Sequence, residues 1–117
     1  MRFVFNFEKL SAYKKSLDFT NDVYEVASTW PREYLFNLTD QSRRASLSIA
    51  LNIAEGSSKT SKEFKRFLSI SRGSCFECIP IIEVSCKRML ISGKQKEIWY
   101  NQLSEIAKML SGLRSKI

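Results

Sequence analysis

Between Leu47 and Phe67 the chain reads LSIALNIAEGSSKTSKEFKRF, one amphipathic run that stops and a second that starts within a few residues. Gly56 stands where a helix closing on Asn52-Ile53-Ala54-Glu55 wants a left-handed cap residue. Ser57-Ser58-Lys59 is a short polar link. Thr60-Ser61-Lys62-Glu63 then fits the capping box, in which the threonine hydroxyl takes the N3 amide and the glutamate reaches back to the N-cap amide. Two long helices joined by so tight a corner are forced antiparallel, and that sets a bundle.

The rest of the sequence agrees with an all-α chain. Four glycines and two prolines are few for a β-rich protein, which needs many turns. At 117 residues the chain fits a single domain, 1–117, long enough to bury a real core. Met1 to Phe7 (MRFVFNF) is too short for a signal-peptide apolar region, and no apolar run approaches the roughly 20 residues of a membrane span. Three cysteines, an odd number, argue against a secreted disulfide framework. A cytoplasmic protein is expected.

Four helices are predicted, over about 8–28, 40–55, 61–91 and 96–115. In the first, Leu10, Tyr13, Leu17, Thr20, Tyr24 and Ala27 form one seam. Ala12, Ser16, Phe19, Val23, Val26 and Trp30 form a second, about 110° around the helix. So wide an apolar arc exceeds what one core-facing helix needs. The second seam (Phe19, Val23, Val26, Trp30) is therefore predicted to face another copy of the chain. Pro31 ends the first helix, and Tyr34, Leu35, Phe36 and Leu38 predict a connection packed against the body. Thr39 reads as the N-cap of the second helix.

The second helix is apolar on two sides and built from small residues, which makes it central. In the third, Phe64, Phe67, Ser71, Cys75, Cys78, Ile82, Ser85 and Met89 make the seam, and Pro80 predicts a kink without a stop. Ser92-Gly93-Lys94 makes the next corner. Trp99, Leu103, Ile106, Leu110, Leu113 and Ile117 line the fourth helix.

Signals for catalysis or metal binding are thin. Cys75-Phe76-Glu77-Cys78 is a lone C-x-x-C with no histidine in the chain and no second cysteine pair, so neither zinc nor any other cofactor is expected. The pair also lies mid-helix, away from the N-terminal dipole that lowers a redox thiol's pKa. Glu55 and Glu77 are the acids expected inside the bundle, paired with Arg44 or another polar group. No enzyme is expected.

The basic residues say more. Lys59, Lys62, Lys65, Arg66 and Arg72 surround the start of the third helix, with Glu63 as the opposing acid, and the net charge is +7. Arg43 and Arg44 begin the second helix. Arg43, Arg44, Lys59, Lys62, Lys65 and Arg66 are the candidate phosphate-binding set. A solvated helix face is the alternative, and no base-reading motif is present.

Several motifs follow in a fixed order. Phe7-Glu8-Lys9-Leu10, Tyr34 to Leu38 with Thr39-Asp40-Gln41, Arg43-Arg44-Ala45, Ser48-Ile49 and Asn52-Ile53-Ala54-Glu55-Gly56 come first. Lys62-Glu63-Phe64, Arg66-Phe67-Leu68, Gly73-Ser74 with Glu77, and Lys108 to Leu113 complete the set. Together they resemble the small bacterial four-helix-bundle proteins encoded within intervening sequences of 23S ribosomal RNA genes. The resemblance covers nearly the whole chain. Two positions depart from the family's pattern, Leu51 in place of serine and Pro80 in the third helix.

The resemblance implies an antiparallel up-and-down four-helix bundle that assembles with itself as a ring, a homopentamer. A similar fold is that of the accessory variability protein of diversity-generating retroelements, a basic pentamer that works with RNA. The expected function is weak, sequence-tolerant binding of RNA or DNA phosphates. A structural or protein-interaction ring with no nucleic-acid role is the alternative.

Overall fold

A computed structural model describes residues 6–117, so the reading of the first residues as lacking a leader lies partly outside the described residues. A 3₁₀ turn (Asn6–Lys9) leads into α1 (Ser11–Ala27). A second 3₁₀ turn (Arg32–Tyr34) and a π turn (Leu35–Thr39) connect to α2 (Asp40–Ser57), followed by α3 (Ser61–Lys87) and α4 (Gly93–Ser115). No strand occurs among the described residues. The chain is all-α: α2 packs against α1 and α3, α3 against α4, and α4 closes on α1. No helix among the described residues is long and apolar enough to cross a membrane.

The corner between α2 and α3 has the predicted capping box. Glu63 N donates to Thr60 Oγ1 at 3.3 Å, and Thr60 N donates to Glu63 Oε2 at 3.4 Å. Gly56 plays another part than the one expected. No glycine among the described residues has positive φ, and Gly56 lies within α2. A Cβ there would sit 2.5 Å from Phe67 Cβ and 3.0 Å from Phe64 Cδ1. The glycine serves close approach of two helices, not a left-handed cap.

Met89 takes the cap conformation instead, with φ 64°. Met89 N donates to Cys86 O and Leu90 N to Ser85 O, both at 2.9 Å, the bond pair of a Schellman end. α3 therefore stops at Lys87, short of the expected Ile91, and Met89 is exposed. The helix runs through Pro80 without a break. Ser92 is the N-cap of α4, its Oγ accepting from Gln95 N at 3.0 Å, so the expected corner is already the first turn.

Thr39 is not an N-cap. It is helical (φ −63°, ψ −51°), buried and without a side-chain cap bond, because the π turn feeds straight into α2. α1 starts later than expected because Leu10 is extended and bonds back to Phe7 O. The connection before α2 is packed down only in part: Trp30 is buried and Tyr34 half-buried, but Phe36 is 91% exposed.

The two seams of α1 exchange roles. Ala12, Ser16, Phe19, Thr20, Val23 and Ala27 are buried, whereas Leu17 and Tyr24 are exposed. Phe19 meets Trp99 of α4 edge-on, ring centroids 6.2 Å apart. Phe19 and Val23, 1% and 2% exposed, together with Trp30, are core residues of the single chain, and Val26 is half-buried. Phe19, Val23 and Trp30 therefore offer no face to another copy, whereas Val26 stays partly open; Leu17 and Tyr24 turn outward.

Small polar residues hold α2 centrally. Thr20 Oγ1 donates to Ser46 O at 3.0 Å from the α1 side, and Ser71 Oγ donates to Ile49 O at 2.7 Å from the α3 side. Ser48 and Ser74 share a hydroxyl hydrogen bond. Partnered in this way, Thr20, Ser48, Ser71 and Ser74 avoid the penalty of a bare hydroxyl in the core.

Three backbone substitutions separate these roles. Gly56→Ala should lose stability by about 1–3 kcal/mol through overpacking, although alanine is the better helix former. Gly73→Ala, with no atom within 4 Å of its added Cβ, should gain about 0.5–1 kcal/mol. Met89→Gly should gain about 1 kcal/mol by relieving the left-handed strain. Urea unfolding followed by circular dichroism measures all three.

Candidate nucleic-acid interface

The capping box fixes where α3 begins, and its 3.6-residue period then decides which side chains point outward. Lys62, Arg66, Ser69, Arg72 and Phe76 are exposed, and Lys65 is half-buried. Lys59 is exposed in the corner itself. Arg66 lies over the Phe67 ring at 4.9 Å, and Arg72 over the Phe76 ring at 4.8 Å. Stacking on aromatic faces holds both guanidinium planes open without neutralising them.

Packing adds cations from α4. Arg114 Nε donates to the Lys65 carbonyl at 3.3 Å, and Lys108 faces Arg72 across a groove between the two helices. Among the described residues, none of Lys59, Lys62, Lys65, Arg66, Arg72, Lys108 and Arg114 forms an ion pair. Glu63, the acid inside the run, is bonded to the Thr60 amide. Lys15, by contrast, pairs with Glu105 at 2.7 Å, and that hydrogen bond holds the lysine above its ordinary pKa.

Arg43 and Arg44 do not join this cluster. They lie in the first turn of an 18-residue helix whose far end reaches the corner, roughly 20 Å away at 1.5 Å per residue. Arg44 Nε is bound by both Asp40 carboxylate oxygens at 3.1 and 3.0 Å. Arg43 lies over the Tyr24 ring at 5.3 Å. Near the same end of α2, Arg88 donates to the Tyr34 hydroxyl at 3.3 Å, a bond that raises its pKa. The six residues grouped from sequence thus fall into two places. Lys108 and Arg114 were missed, since only the packing of α4 on α3 reveals them.

Cys75 and Cys78 are buried core residues and Cys86 is half-buried. Burial pushes the Cys75 thiol up to about 12, with Arg72 opposing weakly. Burial and the neighbouring Cys75 and Glu77 raise Cys78 as well. Thiols held protonated in this way are poor nucleophiles and poor metal ligands. Among the described residues no group of three or more histidine, cysteine or acidic side chains is placed to hold a metal ion. Glu55 and Glu77 are exposed, not inside the bundle, since neither has a cation there to repay desolvation. The partner of Arg44 is Asp40.

Fold and surface together define a small helical protein with a basic edge along α3 and α4 that carries no ion pair among the described residues. Over residues 8–112 the chain matches the family described as 23S rRNA-intervening sequence protein, and it belongs to that family. It is similar to the crystal structure, at 1.70 Å resolution, of a protein with unknown function from the S23 ribosomal protein family of Bacteroides thetaiotaomicron VPI-5482. The TM-score is 0.81 at 24% identity, over 89% of this chain and 95% of that one, a likeness of fold. No curated protein matches the chain.

The thiols give a pH prediction. Unfolded cysteines ionise from about pH 8.5, whereas folded Cys75 keeps its proton to about 12. Between those values the unfolded state binds fewer protons, so stability falls as pH rises. Urea midpoints at pH 7 and pH 10 should show the fall, and Cys75→Ala with Cys78→Ala should lessen it. A thiol reagent at pH 8 should titrate Cys75 and Cys78 only after denaturation.

Proposed function

We propose that this protein is a non-enzymatic accessory protein that binds RNA weakly and without sequence preference along the basic edge formed by α3 and α4. The observation that carries the reading is the set of cations at the α2–α3 corner and along α3, extended by Lys108 and Arg114 and unpaired among the described residues. Cations so placed neutralise phosphates and release condensed counterions, whatever the base sequence. The buried, protonated thiols and the surface positions of Glu55 and Glu77 favour binding over catalysis. Free thiols suit a reducing cytoplasm.

The arrangement we read is an antiparallel up-and-down bundle. Its support is that contacts join the end of one helix to the start of its neighbour. Arg88, just after α3, bonds Tyr34, just before α2; Arg114, near the end of α4, bonds Lys65, near the start of α3. Lys15 and Asp22 of α1 pair with Glu105 and Gln102 of α4 in opposite order.

Self-association into a ring, five-fold as the resemblance implies, forms the second part of the reading. Its support is apolar surface left open on α1 and α2, where Leu17, Tyr24 and Leu51 are 40%, 38% and 57% exposed, among other exposed apolar residues. A ring would repeat the basic edge on every copy and let weak contacts act together. The same apolar surface favours the alternative, an interaction ring without RNA.

Fluorescence anisotropy with a structured RNA tests the first part. Affinity should fall steeply between about 50 and 200 mM salt. Lys62→Glu with Arg66→Glu should weaken all sequences alike, while Arg43→Glu with Arg44→Glu should leave binding nearly unchanged. No binding at about 100 µM, the weak end of non-specific affinity, would move the reading to the interaction ring. For the second part, light scattering should show an oligomer that Leu17→Glu with Leu51→Glu dissociates while helix content is kept. Phe19→Asp should unfold the chain instead, by burying an unpaired charge.

A further inference from the structure

We infer that the groove between α3 and α4 is a stacking site for an unpaired base, so that the strand held on the basic edge is single-stranded or bulged RNA and not a continuous duplex. The inference rests on the phosphate-binding reading and adds what the bases do.

The groove has a volume of about 590 Å³, within the range of small-ligand sites and ample for a nucleobase. One wall carries Phe76, 54% exposed, and the other Tyr100, half-buried. A large aromatic ring left this open gains from any flat apolar partner. The Arg72 guanidinium already stacks on Phe76, 4.8 Å from its centroid. Guanidinium planes and aromatic rings are the two surfaces on which proteins stack unpaired bases.

Charge decides the occupant. The charged side chains lining the groove are Arg72 and Lys108, both cations, and no carboxylate lines it. Glu77, the residue after Phe76, is exposed on α3 outside this lining. Arg72 also continues the row of Lys62 and Lys65, which share its side of α3 at spacings of three and seven residues, steps of roughly 5–10 Å along the axis. A backbone laid along those cations would bring a base to the mouth of the groove. An A-form duplex keeps its bases stacked within the helix and meets proteins through shape, 2′-hydroxyls and phosphates, so it has no use for a flat aromatic slot. A second copy of the chain would have to bring acids to Arg72 and Lys108.

The experiment compares two RNAs of equal length, an unstructured single strand carrying one 2-aminopurine and a perfect duplex, each titrated with the full-length protein. The single strand should bind more tightly, and its 2-aminopurine fluorescence should be quenched on binding. Phe76→Ala should weaken the single strand about tenfold and abolish the quench while leaving the duplex unchanged, and Phe76→Trp should restore both. Far-ultraviolet circular dichroism and light scattering of each variant establish folding and particle mass. Salt-sensitive binding that ignores unpaired bases and Phe76 would overturn this inference and leave the phosphate reading standing. Absence of salt-sensitive binding to either RNA would overturn both. A change of particle mass in Phe76→Ala would assign the groove to contact between copies, and the inference would fall.

Discussion

A methyl group at position 56 would lie 2.5 Å from Phe67 Cβ, closer than two carbons can stand, and from that spacing much of the bundle follows. α2 is lined with Ser42, Ala45, Ser46, Ala50 and Gly56, all buried, so its neighbours come close enough for side chains to reach its backbone carbonyls. Thr20 and Ser71 do so from opposite sides. Larger residues would push α1 and α3 away and strand those hydroxyls without acceptors. The close approach and the polar contacts therefore require one another. Because α3 is held so tightly at its start, the capping box at Thr60 also aims its cations, and the outward direction of Lys62 and Arg66 is a by-product of core packing.

Periodicity made the four helices legible in the sequence, since apolar spacing reports burial directly. The seam Trp99, Leu103, Ile106 and Leu110 is fully buried, and so are Ser71, Cys75, Cys78, Ile82 and Ser85 of α3. What periodicity does not carry is direction. α1 has two apolar seams, and nothing local says which one faces inward; the structure buries Phe19 and Val23 against Trp99 and leaves Leu17 and Tyr24 outside. Glycine misled in both senses. Gly56 is helical because a neighbour needs its missing side chain, and Met89 is left-handed because the chain must turn into α4, glycine or not.

The candidate site was legible by half for a related reason. Cations within one helix show a common face through spacing, so Lys62, Lys65 and Arg72 could be placed together from sequence, with Arg66 beside them at the same end. Arg43 and Arg44 were added because they begin the helix that leads to the corner, but α2 itself is the spacer that separates them from it. Lys108 and Arg114 are about 40 residues beyond the α3 cations in the chain, and only the register of α4 on α3 places them together. Burial of Cys75 and Cys78 was readable from their position on the core seam.

The engagement of three acids elsewhere helps leave the start of α3 positive. Asp40 is engaged by Arg44, Glu105 by Lys15, and Glu63 by the amide that starts α3. Each of these contacts serves helix geometry or a local pair, and none reaches the outer face of α3 beyond Lys62. Cations there repel one another, but exposed charges are screened over about 8 Å at physiological salt, so the cost to folding is small. The same screening limits what a single site can hold. A polyanion that meets several of these cations at once, releasing counterions at each, recovers far more than any one exposed pair provides. An edge left positive at small cost to the fold is therefore better suited to a chain of phosphates than to a single anion.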